Sequence, residues 1–348
     1  MSQLVSIIIP IYNGSSWITK CFENILKQSA VGVLDLEICV CDDHSTDNTL
    51  ELLYNWKSTF ERVNIPFKIY RNEEYQRGVG HSKNSAVHIS SGKFLCFQDV
   101  DDIMLSDRII KQYERALQEQ PNTIIGCKFV RSPLNSTTRY TNWANGLSQE
   151  QLNLQVFTSH GPTVIMPTWF CHRSVFESVG GFVESRQGCP EDLIFFNKHL
   201  DSGGKIARVD DVLLVYTFHQ NQTTFSINEE TIWNIRLERL ERVVLNKWPH
   251  FTIWNAGKQG RKLYKSLCEE NKNKVMVFCD VDLNKIGKKY SHFDNTERSF
   301  SREIDIIHFK NAAPPFVICM KIDLTDGVFE ENLRALNLKE DDDYVLFS

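Results

Sequence analysis

An apolar segment runs directly into three carboxylates in the first third of the chain. Residues 94–98 are followed by Asp99, Asp101 and Asp102. On an extended backbone Asp99 and Asp101 point to the same side and offer paired hard oxygen ligands. A divalent cation held there keeps open positions for the phosphates of a nucleotide. Because such acidic runs are common, a capped strand end with solvated acids is the better explanation if this segment is taken alone.

Strand-like and helix-like segments alternate around these acids, which is the pattern of a mostly parallel sheet flanked by helices. The predicted strands are residues 5–9, 36–41, 67–70 and 94–97, and the predicted helices are residues 17–27, 46–60 and 80–89. Ligands bind such sheets at the carboxyl ends of the strands. Polar residues follow each of these strands, so the sequence predicts a ligand site at that edge.

The pattern changes twice further along the chain. Short strands are predicted at residues 124–130, 164–170 and 213–217, with a helix after Pro190 and another at 231–246. The helix at 231–246 should end at Trp248-Pro249, because the residue before a proline is disfavoured in a helix. We therefore expect a first domain at residues 1–248. A second, smaller α/β domain at 251–348 restarts with strands at 251–254 and 275–279 around a helix at 262–270.

Four ordered motifs resemble those of family-2 inverting glycosyltransferases. They are VSIIIPIYN at residues 5–13, CDDHSTD at 41–47, GVGHSKN at 78–84 and QDVDD at 98–102. The resemblance covers roughly residues 4–248. It implies a GT-A fold, in which a nucleotide-sugar-binding domain is built on a mostly parallel mixed sheet, and it implies a uridine-diphosphate (UDP) sugar donor.

The resemblance also implies roles for individual residues on the donor side. Pro10, Tyr12 and Asp43 would contact the uracil and ribose. Lys83 and Asn84 would lie near the sugar and diphosphate, although many family members carry Arg where Lys83 stands. Lysine still neutralises phosphate but lacks the bidentate fork of arginine. Taken singly, Tyr12 and Asn84 could equally serve packing or a turn.

The same resemblance assigns the metal ligands. Asp101 would be the main ligand of Mn²⁺ or Mg²⁺, Asp99 would contact the ribose or the metal, and Asp102 would support them. His219 resembles the family histidine that completes metal or diphosphate coordination, and a neutral imidazole is a reasonable third ligand beside carboxylates. A lone histidine is more often a surface or packed residue.

A second acidic pair, Glu191-Asp192, follows the segment RSVFESVGGF at residues 173–182 and resembles the family's acidic pair at a helix start. Direct displacement at an anomeric carbon needs a general base for the acceptor hydroxyl. We assign that role to Asp192, with Glu191 as the alternative. The competing interpretation is helix capping, because a helix N-terminus favours carboxylates.

The bulk charge is informative mainly by exclusion. A net charge of -5 and a pI near 6.1 argue against non-specific coating of nucleic acid or membrane. Residues 258–289 nevertheless carry a local basic excess that could meet an RNA backbone or form a solvated helix face. In the same domain, residues 255–260 resemble a dinucleotide-binding loop whose first glycine is replaced, which favours a non-catalytic Rossmann-like accessory domain.

The acceptor is not encoded in the motifs. The whole chain resembles a small family of animal enzymes that galactosylate queuosine in cytosolic tRNA, which implies UDP-galactose as donor and tRNA as acceptor. The alternatives are a UDP-sugar transferase, for example one using UDP-GlcNAc, that acts on a glycan, protein or small molecule, and a non-catalytic nucleotide-sugar-binding scaffold. We expect a cytoplasmic hexosyltransferase with no membrane association and no obligate protein partner, because no signal or spanning segment is visible.

Overall fold

The computed structural model describes residues 3–185, 188–219, 227–294, 298–320 and 327–348. The chain forms two compact units, which are Met1–Asn153 with Pro162–Glu229 and Leu154–Gly161 with Glu230–Ser348. The division therefore differs from the expected boundary after Trp248. The helix before that tryptophan belongs to the second unit because Trp233 packs edge-on against Phe347, with ring centroids 4.9 Å apart.

The first unit is built on one mixed sheet. Among the described residues, eight strands pair in the order β3-β2-β1-β4-β7-β6-β8-β5. These strands are β1 (Val5–Ile11), β2 (Leu36–Asp42), β3 (Phe67–Arg71), β4 (Phe94–Phe97), β5 (Ile103–Met104), β6 (Thr123–Ser132), β7 (Phe170–His172) and β8 (Lys205–Thr217).

Helices connect the strands of this sheet. They are α1 (Ser15–Leu26), α2 (Thr49–Arg62), α3 (Val79–His88), α4 (Arg108–Gln118), α5 (Thr138–Gly146), α6 (Gln151–Leu154), α7 (Arg173–Val179) and α8 (Glu191–Asp201). β1 and β2 are buried along their whole length, which explains why both are mostly apolar. Within them Ser6 donates to the carboxylate of Glu37 over 2.6 Å.

The strand directions place one edge of the sheet around the candidate site. β1 runs parallel to β2 and β4, whereas β7 is antiparallel to both β4 and β6. β6 therefore runs in the same direction as β4, and β8 is parallel to β6. The carboxyl ends of β1, β2, β4, β6 and β8 consequently share one edge, which extends the edge predicted from the first four strands.

One predicted strand is wrong. Residues 164–170 were expected to be extended, but Met166–Thr168 form a turn of 3-10 helix and the strand begins only at Phe170. Pro167 lacks the N–H that a strand would donate. Thr168 closes the turn instead, because its hydroxyl donates to the Ile165 carbonyl oxygen over 2.7 Å.

The second unit has its own sheet. Six described strands pair in the order β11-β14-β10-β9-β15-β16, and only β11 is antiparallel to its neighbour. In chain order its five parallel strands read 3-2-1-4-5, which is a Rossmann-type arrangement. The strands are β9 (Phe251–Trp254), β10 (Val275–Asp280), β11 (Lys289–Tyr290), β14 (Ile304–His308), β15 (Phe316–Ile318) and β16 (Tyr344–Leu346), with a separate hairpin of β12 (Phe293–Asp294) and β13 (Ser299–Phe300).

Helical segments complete the second unit. They are α9 (Glu229–Leu240), which continues as a π turn over Glu241–Leu245, α10 (Lys258–Ser266), α11 (Glu269–Lys274) and α12 (Val328–Ala335), with a 3-10 turn at Phe309–Asn311. The helix predicted at 262–270 is thus two helices. A break at Leu267 separates them, and its backbone is extended.

A buried arginine fixes the backbone that leads into the acidic turn. Arg108, which is fully buried at the start of α4, donates to the Gln98 side chain over 2.7 Å and to the Phe97 carbonyl oxygen over 2.7 Å. Gln98 in turn donates to the carbonyl oxygens of Asp99 and Asp102 over 2.7 and 3.0 Å. The guanidinium therefore positions the turn through its backbone and does not touch the carboxylates.

We expect Arg108→Met to lower the free energy of unfolding by about 3 kcal/mol, because it leaves three buried oxygen atoms, on Gln98, Gln112 and the Phe97 carbonyl, without their donor. Urea denaturation measures this loss. The matched control is Arg115→Met on the same helix, where a partly exposed ion pair with Glu119 should contribute less than about 1 kcal/mol. Equal losses in the two variants would contradict the positioning role.

Candidate active site

The acidic turn after β4 brings three carboxylates together. Asp99, Asp101 and Asp102 each have an oxygen atom within 4.8 Å of the others. One oxygen of Asp102 accepts from the Thr217 amide over 2.8 Å, while its Oδ2 is buried with no hydrogen-bond donor in the described part of the chain. An unsatisfied buried oxygen within a carboxylate cluster fits a hard divalent cation, whose preferred ligands are oxygen atoms.

His219 lies beside this cluster, as expected. Its Nε2 is 2.8 Å from Oδ2 of Asp101, and its ring stacks on Trp17 with centroids 5.2 Å apart. The stacking fixes the imidazole at the edge of the cluster. Its role as a metal ligand stays a prediction. Among the described residues, only the oxygens of Asp99, Asp101 and Asp102 lie close enough together to bind one ion.

A buried ion pair forms the opposite side of the site. Nζ of Lys83 donates to Oε1 of Glu191 over 2.7 Å, and both residues are buried. Burial would lower the pKa of Lys83, but the carboxylates of Glu191, Asp99 and Asp192 raise it above its usual value. Lys83 therefore stays positively charged beside these three carboxylates.

The neighbouring acids affect the pKa of Asp99. Burial raises it to about 7, Lys83 opposes the increase, and the neighbouring carboxylates of Asp101, Glu191 and Asp192 add to it. A divalent cation would reverse such repulsion, since it inverts the local pKa logic of a site. The donor set therefore fits a cation both in ligand chemistry and in charge.

Asp192 is the carboxylate best suited to accept a proton. Burial first, and then the charge of Glu191, raise the pKa of Asp192 to about 6, with Lys83 opposing. One of its oxygens accepts from the Leu193 amide over 2.7 Å, and the residue is only partly buried. Glu191 is by contrast buried and bound to Lys83. The geometry thus favours Asp192 over Glu191 as a base near neutral pH.

A glycine allows the two helices of this site to approach. A Cβ at Gly80 of α3 would lie 2.2 Å from the Val183 carbonyl oxygen and 3.5 Å from Cβ of Glu191. Any larger residue would force α3 away from the start of α8. Gly80 therefore brings Lys83 within reach of Glu191.

The expected nucleotide-side residues occupy different environments. Tyr12 follows β1 and is 45% exposed, so its ring is available to a base. Pro10 is buried within β1, and its contact with the nucleotide stays a prediction. Asp43 is also buried, and its carboxylate accepts from the Asn72 side chain and from the amides of Arg77 and Gly78 over 2.9 and 2.7 Å. Asp43 thus shapes the loop before α3, and its contact with uracil stays a prediction.

Asn84, expected near the sugar and diphosphate, is bound by the segment that follows α7. Its amide nitrogen donates to the Phe182 carbonyl oxygen and to Oε1 of Glu184, both over 2.9 Å. Its oxygen accepts from the Phe182 amide over 2.9 Å. Because both ends of the carboxamide are engaged, Asn84 clamps the segment after α7, and its place near the sugar and diphosphate stays a prediction.

Sequence reasoning missed two groups of residues. Glu184 contacts both Asn84 and His81, whose Nδ1 is 2.9 Å from Oε2 of Glu184. Arg131 and Tyr216 lie at the carboxyl ends of β6 and β8, on the ligand edge of the sheet. Arg131 is a polar residue at the end of a strand, which is the signal that indicates the ligand edge in the first four strands.

Fold and site together define a glycosyltransferase of the expected GT-A type. The model of the family described as "Glycosyl transferase family 2" matches residues 6–180, and the chain belongs to that family. Solved structures of similar fold include S. aureus TarS 1-349 with UDP-GlcNAc, at TM-score 0.51 and 18% identity over 78% of this chain and 71% of that one. The mannosyltransferase PcManGT of Pyrobaculum calidifontis with GDP-Man and Mn²⁺ gives TM-score 0.51 and 18% identity over 70% and 65%.

The matches to curated relatives cover only part of each of those proteins. The hyaluronan synthase of Pasteurella multocida is 37% identical over 309 residues, which are 87% of this chain and 27% of that protein. The chondroitin synthase of Escherichia coli is 26% identical over 262 residues, 72% of this chain and 35% of that protein. The glycosyltransferase GlyG of Streptococcus pneumoniae is 30% identical over 126 residues, 36% of this chain and 39% of that protein. The chain thus spans well under half the length of each. Across the described ranges, no helix combines the length and apolar character that crossing a membrane requires.

We expect Asp192→Asn to slow sugar transfer by about 10³-fold while UDP binding is retained, because an amide cannot accept the proton.

The transfer rate of the wild type should fall as the pH drops through about 6, the pKa of Asp192, since only the carboxylate form acts as a base. Glu191→Gln should move this acid limb to lower pH by removing a negative neighbour. If Glu191→Gln abolished sugar transfer while Asp192→Asn stayed active, Glu191 and not Asp192 would be the general base.

We also expect Asp101→Asn to weaken Mn²⁺ binding in the presence of UDP by more than about 100-fold, because it removes a carboxylate from the cluster. Isothermal titration calorimetry with Mn²⁺ measures the effect. Asp107→Asn is the control, since Asp107 lies shortly after the same turn but outside the cluster. Equal Mn²⁺ affinity in both variants would exclude Asp101 as a ligand.

Proposed function

We propose that this protein transfers a hexose from a UDP-sugar to an acceptor hydroxyl with inversion at the anomeric carbon. The observation that carries the proposal is the state of Asp192. It is a partly accessible carboxylate whose pKa is raised to about 6, and it lies in the same charged site as the acidic turn. A base of this pKa is matched to taking a hydroxyl proton near neutral pH.

The remaining residues divide the work of binding. Tyr12 would face the base, and Asp43 would hold the loop beneath it. Mn²⁺ or Mg²⁺, held by Asp101 with Asp99 and Asp102, would neutralise charge on the departing diphosphate. Lys83 keeps Glu191 paired, which leaves Asp192 as the carboxylate free to face the acceptor.

Relatives support the donor class. The hyaluronan and chondroitin synthases match most of this chain, and TarS, which shares the fold, was solved with UDP-GlcNAc. A hexosyltransferase acting on a glycan, protein or small molecule is therefore the primary form of the proposal. A scaffold that only binds a nucleotide-sugar would have no use for the raised pKa of Asp192.

A second candidate acceptor is queuosine in cytosolic tRNA, with galactose as the sugar. The observation that favours RNA is a basic stripe on α10, where Lys258, Arg261, Lys262 and Lys265 are all exposed at helical spacing. None of the four forms an ion pair with a carboxylate in the described part of the chain, and such cations suit a phosphate backbone. Lys272 and Lys274, in contrast, are paired with Glu269 and Glu270.

The decisive experiment incubates the protein and Mn²⁺ with UDP-galactose, UDP-glucose or UDP-GlcNAc. Each donor is offered to queuosine-containing tRNA, queuosine-free tRNA and a panel of oligosaccharides. We expect transfer, or donor hydrolysis where the acceptor is wrong, with one preferred sugar and a product of inverted anomeric configuration by NMR. Absence of both transfer and hydrolysis with every donor would favour the scaffold. Equal or absent labelling of the two tRNAs would exclude the queuosine acceptor.

If RNA is the acceptor, Lys258→Ala with Lys265→Ala should raise the KM for tRNA at least about tenfold at low salt, because counterion release contributes to affinity. Donor hydrolysis should not change. Lys272→Ala with Lys274→Ala is the control, since those lysines are already paired within α11. A tRNA KM that is the same in both double variants would remove the stripe from the acceptor site.

A further inference from the structure

Arg131 lies at the ligand edge of the first unit and has no part in the roles above. It is the penultimate residue of β6 and pairs with Tyr216 of β8. The neighbouring pair, Ser132 with Thr217, brings this end of the strands to the acidic turn, because the Thr217 amide donates to Asp102. Arg131 is thus one residue removed along the strands from the carboxylate cluster.

Aromatic rings surround the guanidinium. Its carbon lies 3.8 Å from the ring centroid of Tyr216 and 5.7 Å from the centroids of both Phe129 and Tyr140. The residue is 7% exposed. Stacking of this kind fixes the plane of a guanidinium while leaving its N–H edge free to bind a planar or tetrahedral anion.

The donors of Arg131 are unsatisfied. Its Nε and Nη1 are buried and have no hydrogen-bond acceptor among the described residues. Two other buried arginines of the same unit differ in this respect. Arg108 donates to Gln112, Gln98 and the Phe97 carbonyl oxygen, and Arg208 donates to Asp210 and two carbonyl oxygens.

This contrast indicates that Arg131 is kept for an external partner. A buried charged donor without an acceptor is costly, so it persists only where something outside the fold completes it. An oxyanion is the matching chemistry, since charge-assisted, bidentate hydrogen bonds to arginine are the strong ones. A neutral hydroxyl would leave most of the charge uncompensated.

The position favours the acceptor over the donor. The diphosphate of the donor has the acidic turn and its cation. Arg131 instead packs with Tyr140, and the pKa of Tyr140 is raised by burial, lowered by Arg131 and raised by Asp192. Tyr140 thus lies near both Arg131 and the proposed base. Because the diphosphate already has the cation of the acidic turn, we assign the two unsatisfied N–H donors of Arg131 to an anion on the acceptor.

We propose that Arg131, held by Tyr216, binds a phosphate or carboxylate group of the acceptor and so selects anionic acceptors. The proposal rests on the function proposed above, because it takes Asp192 as the group that faces the acceptor. It adds a chemical requirement, since the acceptor carries an anion within reach of its reacting hydroxyl.

The test uses ribose 5-phosphate as a minimal anionic probe and ribose as its neutral match. Each is titrated by calorimetry into the full chain saturated with UDP and Mn²⁺, so that the nucleotide site is already filled. We expect ribose 5-phosphate to bind the wild type and ribose not to bind. Arg131→Gln should weaken ribose 5-phosphate at least about tenfold, and Arg131→Lys should fall between them because it keeps the charge without the fork.

Two controls keep the result interpretable. Lys128→Gln removes a positive charge from the same strand, where Lys128 pairs with Asp210, and should bind ribose 5-phosphate as the wild type does. Circular dichroism and a thermal melt of Arg131→Gln check that the fold is retained, and Arg131→Lys carries the test if Arg131→Gln does not fold. The affinity for UDP with Mn²⁺ should change less than about twofold in either arginine variant.

Three outcomes would overturn the proposal. One is equal ribose 5-phosphate binding by the wild type and the arginine variants, another is no binding of ribose 5-phosphate to the wild type, and the third is a loss of UDP affinity with ribose 5-phosphate unchanged. The third would place Arg131 on the donor. Hydrolysis of UDP-sugars by the wild type is measured separately, so a failure of the proposed transferase activity is distinguishable from a failure of the anion site.

Discussion

The buried ion pair between Lys83 and Glu191 is the interaction on which the rest of the site depends. It joins α3 to α8 and introduces one positive charge into a cluster of acids. Without Lys83, burial and mutual repulsion would raise the pKa values of Asp99 and Asp192 further. Breaking such a pair would leave an uncompensated buried charge, which costs several kcal/mol. The same contact therefore sets both the helix packing and the charge of the two carboxylates.

Close approach of backbones makes this pair possible. Gly80 admits the Val183 carbonyl oxygen, and Asn84 clamps the adjoining segment through Phe182. These residues therefore shape the site without chemistry of their own. Their positions among the motif residues show that residues of one motif also fix the packing of the helices around the site.

Much of the first unit could be predicted from its sequence, and the exceptions have physical causes. Strands such as β2 and β4 are mostly apolar and lead into acids, so both their place and their position at the ligand edge are visible in the pattern. The turn at Met166–Thr168 was missed because its apolar composition resembles a strand, while Pro167 and the Thr168 hydroxyl determine the backbone. Arg131 directly follows a predicted strand and is visible in the sequence as a polar residue at a strand end, but the aromatic rings around it come from β8 and α5 and are not.

The second unit contains a loop that resembles a dinucleotide-binding loop in sequence, but the polar groups of this loop bond within the protein. Asn255 replaces the first glycine of the loop and adopts φ of +105°. Its side-chain oxygen accepts from the Gly257 amide over 2.7 Å, and its amide nitrogen donates to the Cys319 carbonyl oxygen over 2.8 Å, beyond the end of the neighbouring β15. In a Rossmann-type sheet of this order, the gap between these two strands is where a nucleotide would bind.

The acid of that loop is engaged as well. Oδ2 of Asp280 accepts from the Ala256 amide over 2.9 Å and from Nζ of Lys285 over 3.0 Å. A phosphate or ribose would have to displace side chains that already satisfy the amides and span the gap. The loop thus has the backbone of a dinucleotide-binding site, but its own side chains occupy the positions where the ligand would bind. The groups of this unit that are open to an anionic partner are instead the exposed cations of α10.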